Sequence, residues 1–388
     1  MDIDIFFQPV DESLLPDSLP DACLGNSLMV NTTGDIPELT QVQLAIFGVN
    51  ESRGNKANLE GENAPDLVRQ WLYRLFHHGY DIKIADLGNV KAGNEIQDTY
   101  FAVSQICESL IKEGIIPIII GGSQDLTYAN YLAYQNLEQM VNLVTVDPRF
   151  DIGLKDETVD AYTFLSKIVL HQPSFLFNYS NIGYQSYFTD PKVLELMNQL
   201  YFDVYRLGMV RNNLEEVEPI VRNADIVSMD VNAIRKADAP GISFASPNGF
   251  NGEEACAIAR YAGLSDKLTS FGVYDYCPSK DEDGTTAHLV AQMIWYFIDG
   301  YYNRKQDFPV GDRSQYFKYT VALESKDHEL VFYKSNKSDR WWMEVPYQTG
   351  QNSKYERHHL VPCSYADYEL ALRDEMPDRW WKTYQKLC

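Results

Sequence analysis

What this chain lacks narrows its class quickly. No stretch approaches the roughly 20 apolar residues that a membrane helix needs, and apolar runs are as short as Ile115 to Ile120. The opening Met-Asp-Ile-Asp-Ile carries none of the positive charge that begins a secretory signal, which points to the cytoplasm. Basic residues are few: 33 Lys and Arg stand against 55 Asp and Glu, a net charge of −22. Such a surface repels phosphate backbones and anionic lipid, so neither nucleic acid nor a membrane is expected as a partner. Six cysteines (Cys23, Cys107, Cys256, Cys277, Cys363 and Cys388) are scattered with no C-x-x-C spacing. They read as reduced thiols, and a zinc site or disulfide frame is not expected.

What is present is an ordinary globular composition over 388 residues, 45% hydrophobic and 23% charged. A chain this long buries enough surface to fold without a staple. Residues 1–40 hold Pro9, Pro16, Pro20 and Pro37 and read as an extended arm. From residue 41 to about 310, short apolar runs alternate with helical patterns. Val42–Phe47 is a strand, Pro65 opens a helix, and Asn94–Glu113 is amphipathic through Tyr100, Val103, Cys107, Leu110 and Ile111. Ile115–Ile120 is apolar on both faces, as a strand inside a helix-covered parallel sheet must be. Asn251 and Glu254 predict a capping box for the helix that follows, and Thr285–Tyr301 predicts another helix. Alternating strands and helices imply an α/β doubly wound parallel sheet. Residues 311–388 differ, and read as an appended α+β extension with a hairpin at 319–323 and 329–333.

Ligands of such folds bind outside the carboxyl ends of the strands. Polar stretches stand at four of those ends: Gly121-Gly-Ser-Gln-Asp125, Asp147-Pro-Arg-Phe-Asp151, Ser228-Met-Asp-Val-Asn232 and Tyr274-Asp-Tyr-Cys-Pro278. Asp147, Asp151 and Asp230 would converge there. Three buried carboxylates repel, so something positive must sit among them, either a divalent cation or Arg149.

The ordered set resembles the ureohydrolase superfamily of binuclear manganese hydrolases, the arginases, agmatinases and formimidoylglutamases. That family's signatures run Gly-Gly-Asp-His, Asp-Ala-His-x-Asp, Ser-x-Asp-x-Asp and Glu-Val-Asn-Pro. Ala239-Pro-Gly241 and Gly284-Thr-Thr-Ala287 match further segments, and Asn178–Gln185 looks nearest to the formimidoylglutamase branch. The resemblance covers residues 40–305 and implies a three-layer arginase-like fold with a mainly parallel sheet. It also implies residue roles. The two metal-binding histidines correspond to Gln124 and Arg149, the last metal-binding aspartate to Asn232, and the substrate-binding glutamate to Asp275. A first-metal set of Gln124, Asp147, Asp151 and Asp230 survives, all oxygen donors that suit at most one Mg, Ca or Mn ion. The second set contains Arg149, which cannot lose its proton to ligate, and Asn232. The seven histidines all lie elsewhere.

The resulting expectation is a catalytically degenerate arginase-fold protein with a binding or scaffold role. The alternative is a metal-dependent hydrolase of linear amidine C–N bonds. Arg149 is expected to take the place of the second metal and to bond to at least one of Asp147, Asp151 and Asp230. Trp341, Trp342, Trp380 and Trp381 are either contacts for a protein partner or pins for the extension, and a homo-oligomer is compatible with the sequence.

Overall fold

The computed structural model describes residues 3–15, 19–58, 63–153, 158–309, 313–323, 328–347 and 355–387. Pro16, residues 59–62 of the polar loop and Cys388 therefore lie outside the described residues. Eight parallel strands form the body of the main sheet: β1 (Leu44–Val49), β2 (Ile84–Val90), β3 (Ile116–Ile120), β4 (Val141–Val146), β5 (Leu176–Tyr184), β6 (Asp203–Arg206), β7 (Ile226–Asp230) and β8 (Ser270–Tyr274). Their order across the sheet is β2-β1-β3-β8-β7-β4-β5-β6. The expected boundaries shift by only a few residues. β2 and β5 had not been expected as strands. The apolar pattern of β2 is interrupted by Asp86 and Asn89, which are buried because Arg69 reaches both, Asp86 through Nε at 2.9 Å.

The N-terminal arm caps the β2 edge. Phe7–Gln8 pairs antiparallel with Asn89 and Val90, and Met29–Val30 pairs parallel with Ala85 and Asp86. An edge that would otherwise offer unpaired main-chain groups is thereby covered. Helices 96–112, 126–136 and 164–170 cover one face of the sheet, and helices 64–72, 217–222, 252–263 and 285–302 cover the other. Asn251 and Glu254 do form the capping box: Asn251 Oδ1 accepts from Glu254 N at 2.7 Å, and Glu254 Oε2 accepts from Asn251 N at 2.8 Å. Among the described residues no helix is long and apolar enough to cross a membrane.

The C-terminal extension is a four-stranded antiparallel sheet in sequence order, β9 (Tyr316–Leu323), β10 (His328–Ser335), β11 (Trp341–Glu344) and β12 (Leu360–Cys363), followed by helices 365–372 and 378–387. It is anchored by Arg222, whose guanidinium lies 4.4 Å from the Trp342 ring centre and donates to the carbonyls of Trp341 and Cys363, each at 3.2 Å. Trp341, Trp342 and Trp380 are 8%, 1% and 1% exposed: Trp341 and Trp380 belong to the core of the extension, and Trp342 packs on Arg222. The reason is ordinary: large aromatic rings supply most of the core of a small sheet. Only Trp381, 42% exposed, remains at the surface.

Candidate functional site

The carboxyl ends of β3, β4, β7 and β8 do bring the four sequence motifs to one edge. After β3 the chain threads a narrow gap. A Cβ on Gly121 would stand 2.2 Å from the Tyr274 ring, and one on Gly122 would stand 1.9 Å from the Glu51 carbonyl oxygen. That close passage is why two glycines are needed here. Gln124 follows, buried, with Nε2 3.4 Å from Ser228 Oγ.

At the end of β4, Asp147 accepts the backbone N–H of Arg149 at 2.7 Å. The Asp151 carboxyl lies in the field of the Asp147 carboxyl. Burial raises the pKa of both. For Asp151 the neighbouring Asp147 charge raises it further, well above the usual carboxylate range. At the end of β7, Asp230 Oδ1 accepts from Asn232 N at 2.7 Å and from Asn232 Nδ2 at 2.8 Å. Burial, then the charges of Asp275 and Asp147, push its pKa well up. The three aspartates therefore share one buried field, as the sequence implied. Asn232 Oδ1 in turn accepts from Phe244 N at 2.8 Å.

Asp275, after β8, adopts a left-handed backbone at φ 65°. Its carboxylate accepts from Asn55 Nδ2 at 2.8 Å, and its N–H donates to the Gly122 carbonyl at 2.8 Å. Burial raises its pKa to about 7, helped by the charges of Asp125 and Asp147. Asn55 comes from the loop after β1. That loop is held by Glu51, which accepts from Arg53 Nε at 2.9 Å and Thr99 Oγ1 at 3.0 Å.

The Arg149 side chain departs from expectation. Its guanidinium makes no ion pair or hydrogen bond with Asp147, Asp151 or Asp230. It is sandwiched instead between two rings, 4.7 Å from the centre of Tyr162 and 4.5 Å from that of Phe244. Burial works to lower its pKa, but the charges of Asp151, Asp147 and Asp230 outweigh that and raise it. The electrostatic pairing is real but acts at a distance, because planar guanidinium stacks well between aromatic faces.

Sequence reasoning missed several residues here. Asp125 is fully buried, takes the Tyr100 hydroxyl as a hydrogen-bond donor and has its pKa raised by burial to about 6. It lay inside a stretch already singled out. Tyr162, whose hydroxyl donates to Asn55 Oδ1 at 3.1 Å, and Phe244 carried no local signal. The histidines are indeed remote: His288 stacks on Trp71 at 4.2 Å, His358 on Phe177 at 4.0 Å, and His171 sits beside Gln135.

Residues 42–299 match the arginase family model. The chain belongs to the arginase family. It is 23% identical to the formimidoylglutamase of Streptococcus gordonii over 278 residues, covering 66% of this chain and 83% of that protein. It is 25% identical to the Vibrio cholerae formimidoylglutamase over 267 residues, covering 62% of this chain and 78% of that one. Among solved structures it resembles Trypanosoma cruzi formiminoglutamase with Mn2+, with a TM-score of 0.63 and 19% identity over 68% of this chain and 95% of that one. Bacillus subtilis formimidoylglutamase gives a TM-score of 0.62 at 16% identity, covering 68% and 88%. This arginase-family chain is thus formimidoylglutamase-like across its main sheet, and the family match ends before the extension.

The donor set does not fit the manganese pair that the family implies. The two positions at which the resemblance places imidazole ligands hold Gln124 and Arg149. The Asn232 side-chain amide is engaged with Asp230. A permanent cation stands at the position corresponding to the second histidine. Among the described residues no group of three His, Cys, Asp or Glu is arranged to hold a metal ion.

Proposed function

We propose that this arginase-family chain is catalytically degenerate and keeps the fold for a binding or scaffold role. The observation that carries this is Arg149, held between Tyr162 and Phe244 where the family places a metal-binding histidine. A binuclear hydrolase activates its attacking water between two metals. A guanidinium at the second position supplies charge but neither a bridge nor a Lewis acid. Among the described residues no other group at the edge is a placed nucleophile: Cys277 Sγ meets Ser279 Oγ, at 3.4 Å, and no activating base. Asn55 Nδ2 donates to Asp275 Oδ1 at 2.8 Å and lies 3.4 Å from Ser243 Oγ, so this edge keeps a polar network beside the aspartates.

The second reading is a metal-dependent hydrolase of linear amidine C–N bonds. The survival of three buried aspartates at the expected strand ends favours it. A single assay separates the two: urea and formamide release from arginine, agmatine and formimidoylglutamate, with and without Mn2+. Degeneracy predicts background release throughout. Manganese-dependent turnover would select the hydrolase.

A further inference from the structure

We propose that β9, the exposed edge of the C-terminal sheet, is a dimerisation edge that pairs antiparallel with β9 of a second copy about a two-fold axis at Thr320. β9 lies at the end of the strand order, with β10 on one side only. The N–H of Asn336 donates to the carbonyl of Gln315 at 3.1 Å. This fixes the alternation: the odd-numbered residues of β9 face β10, and Lys318, Thr320 and Ala322 turn their main-chain groups outward. Among the described residues nothing bonds to those outward groups. β9 has no Asp, Glu or Pro and one charged side chain, Lys318, and among the described residues no strand covers it as the N-terminal arm covers the β2 edge. An edge of this kind is a template for another strand whose neighbouring charge can meet Lys318.

A second copy is the occupant that the residues fit. Pairing about Thr320 sets Lys318 against Ala322 of the second copy, Tyr319 against Val321, and Phe317 against Leu323. Phe317, 59% exposed, would then be covered by an apolar neighbour. In the hairpin, Ala322 lies opposite Glu329 of β10. Lys318 of one copy, the small Ala322 of the other and its Glu329 therefore fall in line on one face. Strand spacing of about 4.8 Å puts the Lys318 and Glu329 Cα atoms about 10 Å apart, within reach of the two extended side chains over an alanine. The symmetry makes this pair twice. Lys318, Ala322 and Glu329 are all exposed within one chain.

Sedimentation equilibrium of the full chain tests this, with circular dichroism to confirm folding. Wild type is expected to dimerise at micromolar concentration. Lys318→Glu should raise the dissociation constant about tenfold, because two attractions become two repulsions. Lys318→Glu with Glu329→Lys should restore it. Thr320→Pro, which removes an outward N–H that β10 does not use, should abolish the dimer. A monomeric wild type would overturn the proposal, as would a dimer indifferent to Lys318→Glu and Thr320→Pro. Failure of the double charge swap to restore pairing would overturn the register. Should Lys318→Glu fail to fold, Glu329→Lys alone carries the same repulsion and the same expectation.

Discussion

Asp230 Oδ1 accepts both the backbone N–H of Asn232, at 2.7 Å, and its side-chain amide, at 2.8 Å, so this oxygen of a residue in the surviving carboxylate set is turned to a neighbouring amide. Asp147 and Asp151 are buried as well, and burial raises the pKa of both. Arg149 stays between Tyr162 and Phe244, and its charge acts on the buried carboxyls from there.

Arg149→Ala should destabilise the fold by about 1–2 kcal/mol, the worth of a partly desolvated cation–π sandwich. Arg149→Lys should fall between wild type and alanine, keeping the charge and losing the planar stack. Urea denaturation measures both. A loss of about 3–5 kcal/mol for alanine would instead indicate a direct buried ion pair.

The buried carboxyls set a pH dependence. Asp125 and Asp275 ionise near 6 and 7 in the folded chain, against about 4 when unfolded, so the folded state holds more protons in between. Their stabilising contribution is full below about pH 4 and is lost as pH rises through 6 and 7. Asp125→Asn should flatten that fall and raise stability at pH 8 by about 1–2 kcal/mol. Denaturant melts from pH 5 to pH 8 with chelator present check it, and an unchanged slope in the variant would contradict it.

Gly122→Ala should cost about 1–3 kcal/mol, because the new methyl meets the backbone of Glu51 rather than a movable side chain. Thermal unfolding reads this directly. A neutral result would mean that the loop after β1 can withdraw from the β3 end.

The extension offers a paired control. Trp380→Ala should cost about 3–5 kcal/mol, since its ring is core, whereas Trp381→Ala should cost less than about 1 kcal/mol. Limited proteolysis should release the extension early in the first variant and not in the second.

The sheet was legible because β3, β7 and β8 are apolar runs that stop at polar motifs, and position is all that a strand end needs. β2 was hidden by Asp86 and Asn89, whose burial makes sense only once Arg69 is placed beside them. The convergence of Asp147, Asp151 and Asp230 followed from topology. The fate of the Arg149 side chain did not, because its two aromatic partners sit 13 and 95 residues further along the chain with no shared pattern. The four tryptophans could not be sorted by composition, and only the packing separates Trp381 from the other three.

The central claim is that this edge does not assemble the family's metal pair. The direct measurement is manganese content after loading with Mn2+ and desalting, for wild type and for Gln124→His with Arg149→His and Asn232→Asp, each assayed for formamide release from formimidoylglutamate. The account predicts no manganese pair and no release in wild type, and manganese uptake in the triple variant. Two manganese ions per wild-type chain with metal-dependent turnover would contradict it.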